Sequence, residues 1–381
     1  MLTRSWYSRR MFARKRSYLD YAAGMPANPS SPHAEGRGVR ERLETARMTI
    51  ARLTERKMDD VIFTSGATYA NALAILGAVR AREGKRHVLY HPGAHASIVE
   101  NVFLLREEGV DVEPLTISGG RIDIDRLRAQ LTDATVLVSL DAVCGETGSV
   151  WHTRAVRAAL DAHAASAESR RILLHVDASQ APFTEKLEMS HHGADLLVFD
   201  GSKLGVPGSG CLIAHRTIPL VPPYRGGGQE RGLANGTQNV EAQARFARSL
   251  AALARDREGF GKRSMIARES LLVALREVPG LVVNEGDRQA PQIVNVSLPG
   301  RDTDYLVTLL DEAGFAVSTR SACETDSDQG SRAVFALTGD LERARSTVRI
   351  SWGIGTKPRH LQRFARALRD AVRFIDAHAI T

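Results

Sequence analysis

From about residue 36 onward the chain alternates between helical and strand periods, and that alternation limits its fold more than any single motif does. The stretch "VRERLETARMTIARLTE" carries apolar residues at helical spacing, and "DDVIFTSGAT" is a short apolar strand running into a glycine-containing turn. "YANALAILGAVRA" then predicts a helix, "RHVLYHP" a strand, and "ASIVENVFLLREEG" a helix closed by Gly109. The pattern continues through "TVLVSLDAV", "RAVRAALDAHAASA", "ILLHVDAS" and "ADLLVFDGSK". Strands separated by helices need crossover connections, so the expected sheet is mainly parallel. Its strands end repeatedly in polar or glycine-rich turns, where an open α/β sheet builds its ligand site.

After "GSGCLIAHR" comes "PPYRGGGQERGLANGTQN", too long and glycine-rich to serve as a mere connector. A long helical stretch follows from about Val240 to Val278, and the rest alternates short strands and helices as a smaller α+β domain would. The expected division is a basic arm at 1–17, a large α/β domain at 18–255 whose first residues can pack with the small domain, and a small C-terminal domain at 256–381. With 381 residues, 43% of them hydrophobic, each of the two domains can bury its own core.

The net charge is +7, but six basic residues lie in the acid-free first eighteen positions, and the remainder is near neutral. No aromatic-interleaved basic patch accompanies that charge, so direct nucleic-acid binding is not expected. The arm reads as a disordered extension or a misplaced start, with organelle import as the minor alternative. No run of about 18 apolar residues occurs, so no membrane span is expected. Cys144, Cys211 and Cys323 are widely spaced without a CxxC pair, which points away from disulfides and metal and toward a reducing compartment, the cytoplasm.

Three features carry chemistry. Asp177 ends the apolar run "LLHVD", and Lys203 follows the later run "LLVFDGSK", so the two converge at the sheet's carboxyl edge. A pyridoxal 5'-phosphate enzyme needs that pair: the lysine to join the cofactor aldehyde, the acid to keep the pyridine nitrogen protonated. The turn "TSGAT", residues 64–68, joins a strand to a helix and aims backbone N–H groups and the Thr68 hydroxyl at an anion. Cys323, in "STRSACETDSDQG", sits among small, polar and acidic residues with almost nothing apolar to bury it, the setting of a reactive thiol.

With these residues in place, the chain resembles the class V aminotransferase family and, within it, the NifS/IscS-like cysteine desulfurases. "NPSSPH", "IFTSGAT", "HVDASQ", "GGGQERG", "NGTQNV", "APQIVNVS" and "AVSTRSACETD" fall in the family's order, from "YLDYAA" to "VRISWG". The resemblance implies the fold type I architecture of pyridoxal phosphate transferases, with a seven-stranded-type sheet. It implies Lys203 as the cofactor-linked lysine, Asp177 as the pyridinium partner, Gln180 as donor to the ring's phenolic oxygen, and His95 stacked over the ring. Ala67, Thr68 and Ser202 would hold the phosphate, Thr237 would reach the phosphate of the other subunit in a homodimer, and Arg349 would take the substrate carboxylate. L-cysteine would yield alanine and a persulfide on Cys323, whose sulfur passes to an acceptor protein of iron–sulfur cluster assembly or tRNA thiolation.

Some positions depart from the family's pattern. Ser202 stands where a histidine is usual, Asp200 where a serine is common, Gly145 where an asparagine contacts cofactor and substrate, and Tyr69 where a glutamate is general. Asp200 would repel a phosphate unless it points away or pairs with a cation such as Arg225. Glu324, Asp326 and Asp328 would make the Cys323 thiolate scarcer, with Arg320 as an offset. Two further readings stay open on the sequence: another class V reaction, such as selenocysteine lyase or C–S β-lyase, and a non-catalytic paralogue serving as a partner-binding scaffold.

Overall fold

The computed structural model describes residues 17–25, 27–166, 171–319 and 330–378. Cys323 and its neighbours from Arg320 to Gln329 lie outside the described residues, as does the basic arm before Ser17. The helix α1 (Ala34–Leu53) leads to β1 (Val61–Thr64), α2 (Ala67–Arg80), β2 (His87–Tyr90), α3 (Ala96–Glu107), β3 (Asp111–Pro114) and β4 (Thr135–Asp141). Next come α4 (Thr153–Ser166), β5 (Leu173–Asp177), β6 (Leu196–Asp200), β7 (Gly210–Ala214) and the 36-residue helix α5 (Val240–Leu275).

These seven strands form one sheet in the order β1-β7-β6-β5-β4-β2-β3. The pairs among β3, β2, β4, β5 and β6 are parallel, and β7 runs antiparallel to both β6 and β1. The expected mainly parallel seven-stranded sheet is therefore present. Alternate residues along each strand face opposite ways. Leu174, Val176, Leu197 and Phe199 pack with α1, α4 and the first half of α5, while Leu173, Leu196 and Val198 pack with α2 and α3.

The smaller layer has three antiparallel strands, β8 (Val282–Val283), β9 (Ile293–Ser297) and β10 (Thr347–Ser351), covered by α6 (Thr303–Glu312) and α7 (Pro358–His378). Helix α5 runs unbroken through the 255/256 boundary drawn from sequence. Its Phe246 and Leu250 belong to the large core, and its Phe260 and Leu271 to the small one. One apolar helix face thus serves two cores in succession, which a periodicity argument cannot divide. The stretch "FAVST", residues 315–319, contributes a single bridge, Ser318 to Arg349. Among the described residues no helix is long and apolar enough to cross a membrane.

Candidate active site

A cleft at the carboxyl ends of β4, β5 and β6 is lined by His95, Asp177, Gln180, Lys203, Gly145 and Arg349. Five of the predicted site residues thus meet in one place, brought from the large sheet and, through Arg349 on β10, from the small one. Lys203 is exposed on a short 3-10 turn, Ser202–Leu204, that directly follows β6. Gly201 opens that turn because a Cβ there would lie 2.0 Å from the Ser209 hydroxyl oxygen. A larger depression beside Arg40, Arg47 and Gln229 has neither a lysine nor a cysteine in its lining.

Strand alternation explains the polar floor of the cleft. Ser139 and Asp141 on β4 sit opposite His175 and Asp177 on β5. All four project to the α2/α3 side, since the intervening Val138, Leu140, Leu174 and Val176 face the other core. On that side Asn71 of α2, fully buried, meets them. Its side-chain nitrogen donates to Asp177 Oδ2 at 2.8 Å and to Ser97 Oγ at 2.8 Å. Its side-chain oxygen is left to accept from His175 Nε2 at 3.2 Å, and His175 Nδ1 lies 2.8 Å from Ser139 Oγ. The second oxygen of Asp177 accepts the Ser179 backbone N–H at 2.9 Å.

The chain of bonds reaches His95. The Ser97 backbone N–H donates to His95 Nδ1 at 3.1 Å, and Ser97 Oγ lies 2.8 Å from the same nitrogen. With Nδ1 accepting, the neutral ring carries its proton on Nε2. Burial pushes His175 down to about 4, so this imidazole is neutral. Asp141, the other carboxyl of the floor, is pushed up to about 7, first by burial and then by the charge of Asp177. The two carboxyls therefore differ in surroundings: Asp177 has donors on both oxygens, whereas Asp141 Oδ1 has no hydrogen-bond partner and lies 4.0 Å from His91 Nδ1. Sequence reasoning singled out none of Asn71, Ser97, Asp141 and His175. The lone amide within the apolar run "ANALAILGAV" is the signal that could have found Asn71.

The remaining cleft groups are simply placed. Arg349 Nη1 donates to the Gly145 carbonyl at 3.3 Å, and a Cβ on Gly145 would come 3.3 Å from Gln180 Nε2. The turn after β4 is closed, with Cys144 N–H donating to Ser149 O at 2.8 Å. Cys144 itself lines the cleft, but burial pushes its thiol up to about 12, and Cys211 is buried in the core. The Arg349 backbone N–H donates to Ser318 O at 2.7 Å, and the Ser331 hydroxyl donates to Glu146 Oε2 at 2.6 Å. Glu146 also lines the cleft, so the described chain on both sides of residues 320–329 is fastened at its rim.

The expected anion end is less simply composed. Helix α2 begins at Ala67 with Gly66 as an N-cap that offers no side chain, which leaves N–H groups of its first turn for an anion. Ala67 and Thr68 stand one turn before Asn71 on the same helix face, so this end adjoins Asp177. Asp200 stands there too. Its Oδ1 accepts the Ser202 backbone N–H at 3.2 Å, its Oδ2 accepts the Ser202 hydroxyl, and among the described residues it forms no ion pair with Arg225. The carboxylate thus turns to the adjoining serine rather than to the Arg225 foreseen from sequence. Thr237 is exposed and shares a depression with Thr64, Ser65, Tyr69 and Gly208 of its own chain.

A lysine beside a doubly hydrogen-bonded buried carboxylate fits the aldehyde and ring of pyridoxal phosphate, and the open start of α2 fits a phosphate in all but Asp200. Comparison with known proteins agrees with the frame. The Aminotransferase class-V family model matches residues 13–364. The putative cysteine desulfurase IscS 1 of Bacillus subtilis is 30% identical over 382 residues, covering 94% of this chain and 99% of that protein. The cysteine desulfurase IscS 1 of Archaeoglobus fulgidus is 30% identical over 358 residues, covering 88% and 91%. A solved NifS-like protein superposes with a TM-score of 0.83 at 25% identity, covering 91% of this chain and 92% of the other.

Proposed function

The chain belongs to the class V aminotransferase family, in its cysteine desulfurase group, and from that premise we propose that it converts L-cysteine to L-alanine and leaves the sulfur as a persulfide on Cys323. The observation that carries this reading is the single cleft holding Lys203, Asp177, His95, Gln180 and Arg349. A scaffold that only bound partners would have no use for all five together.

Pyridoxal 5'-phosphate, when bound, supplies the electron sink for a reaction at the substrate's α-carbon. The carboxylate of Asp177 supports that sink at the ring nitrogen and is itself held by Asn71 and Ser179. Arg349 binds the substrate carboxylate as a bidentate fork and so aims the α-carbon at Lys203. Lys203 Nζ takes the α-proton, and His95 presents its Nε2–H to the cleft for later proton movement. The Cys323 thiolate attacks the substrate sulfur: an S–S bond forms, the substrate C–S bond breaks, and the electron pair stays with the carbon fragment, which is protonated to alanine. Cys144 is unsuited to this role, since its thiol stays protonated at neutral pH.

The segment carrying Cys323 joins described structure at Thr319 and Gly330, next to the cleft-rim contacts of Ser318 and Ser331. This placement suits a sulfur carrier that takes its cargo inside and delivers it outside. The acceptor we propose is a protein of iron–sulfur cluster assembly or tRNA thiolation. A homodimer, with Thr237 reaching the partner's phosphate, and a reducing compartment such as the cytoplasm complete the reading.

The test is to add pyridoxal phosphate and L-cysteine to the purified full-length chain and to measure its visible absorption and alanine release. A cofactor band absent in Lys203→Ala, with alanine formation lost in Cys323→Ser, is the expected result. Pyruvate and ammonia in place of alanine would replace desulfuration by simple elimination.

A further inference from the structure

We propose that Asp200 weakens the anion end of the cofactor site, so that the chain retains pyridoxal phosphate chiefly through the ring and Lys203 and gains little from the phosphate. The inference rests on the cofactor reading above and concerns what that reading leaves unexplained, a carboxylate where a dianion is to sit.

The placement follows from three glycines. Strand β7 lies between β1 and β6, and its Gly210 is the register partner of both Thr64 and Asp200. A Cβ on Gly210 would lie 2.9 Å from Gly66 Cα, so the turn after β1 crosses directly over this position. Asp200 follows Val198 on β6 by one alternation and therefore projects to the α2 side. Its Oδ1 ends 3.7 Å from the point where a Cβ on Gly66 would stand, at the very start of α2. Gly201 meanwhile folds the chain back tightly enough that both the N–H and the hydroxyl of Ser202 reach Asp200.

Two consequences reach the phosphate. Ser202, expected to donate to it, already donates through both its N–H and its hydroxyl to a carboxylate of the same chain. A phosphate at the α2 start also meets an anion at close range, and the ion pairs of the described residues include none to Asp200 that would neutralise it. The favourable field of the helix start and the repulsion of Asp200 therefore oppose one another. A ligand that lacks the phosphate, pyridoxal itself, escapes that repulsion. The chain should accordingly distinguish poorly between the two aldehydes.

The experiment titrates the full-length protein, purified without added cofactor, with pyridoxal phosphate and separately with pyridoxal. The lysine-linked aldehyde band is followed, and Lys203→Ala gives the baseline. Wild type, Asp200→Asn and Asp200→Ser are compared, with thermal melts to verify folding. Asp200→Asn should tighten pyridoxal phosphate by about tenfold or more and leave pyridoxal within about twofold. Asp200→Ser should move in the same direction. Unchanged or weaker phosphate-form binding in both variants, or equal shifts for the two aldehydes, would overturn the inference while leaving the cofactor reading intact. Absence of any band above the Lys203→Ala baseline in all three proteins would overturn both.

Discussion

The two ends of the cleft are built on different principles. At the ring end, Asp177, Asn71 and His175 are buried, and one continuous set of hydrogen bonds runs from Ser139 to His95. At the anion end, Asp200 is half-buried, Ser202 and Thr68 are exposed, and a carboxylate occupies donors that a phosphate would use. A buried network is costly to alter, because each removed partner leaves another unpaired in a low-dielectric surround. An exposed turn can exchange a neutral group for a charged one and keep its fold. The chemistry-bearing end is thus fixed by folding itself, whereas the holding end is free to vary in charge.

The largest effect that would test this contrast is at Lys203. Lys203→Ala should lower alanine formation by about 10³-fold or more, since both the covalent link and the α-proton acceptor go. A variant that kept a tenth of its activity would remove the lysine from the chemistry. Asp177→Asn should cost about 10²-fold in alanine formation while the protein still folds, because the amide keeps the shape but not the charge. Circular dichroism alongside the alanine assay separates the two effects.

Asn71→Ala touches no reacting atom, yet it leaves Asp177, Ser97 and His175 each short of a partner. It should destabilise the protein by about 1–3 kcal/mol in urea unfolding. It should also shift the pH profile of alanine formation, because His95 loses the donor chain behind Ser97. A stability loss with an unmoved profile would confine Asn71 to folding.

Acid stability follows from the same burial. Burial pushes His91 down to about 3 and His175 and His192 to about 4, so each stays neutral when folded. The unfolded chain protonates them below about 6.5, so their stability is present above that pH and is lost as pH falls toward 4. Asp141, raised to about 7, works in the opposite direction: its contribution is full below about 4 and is lost as pH rises to 7. Three groups against one give a lower urea midpoint at pH 5 than at pH 7, and Asp141→Asn should steepen that fall. An equal midpoint at both pH values would contradict the neutral, buried assignment of these rings.

The smallest expected effect belongs to the anion end. Ser202→Ala should change the affinity for pyridoxal phosphate by no more than about threefold, since its hydroxyl already serves Asp200. A tenfold loss would mean that Ser202 turns to the phosphate, and the contrast between the two ends would fade.

What could be read from the sequence divides along the same line. Lys203 and Asp177 were legible because Asp177 ends one apolar strand and Lys203 directly follows another, and a strand end in an open α/β sheet is a predictable place. Asn71 was not, because its partners come from β5 and from Ser97 across 26 to 106 residues of chain, a separation no local pattern reveals. Strand β3, "DVEP", has an exposed acidic edge and a proline, and its place is set by pairing with β2 rather than by an apolar run. Asp200 stood out as a charge where the resembled family commonly has a serine, but its capture by Ser202 depends on the tight turn at Gly201, which is a matter of geometry.

The central claim is that substrate sulfur leaves this cleft on Cys323. The most direct measurement is to treat the cofactor-loaded protein with L-cysteine, alkylate it at once, and locate the added sulfur by peptide mass spectrometry. The account predicts one extra sulfur atom on the peptide containing Cys323 and none on those containing Cys144 or Cys211. Sulfur found on Cys144, or alanine released at full rate by Cys323→Ser, would contradict it.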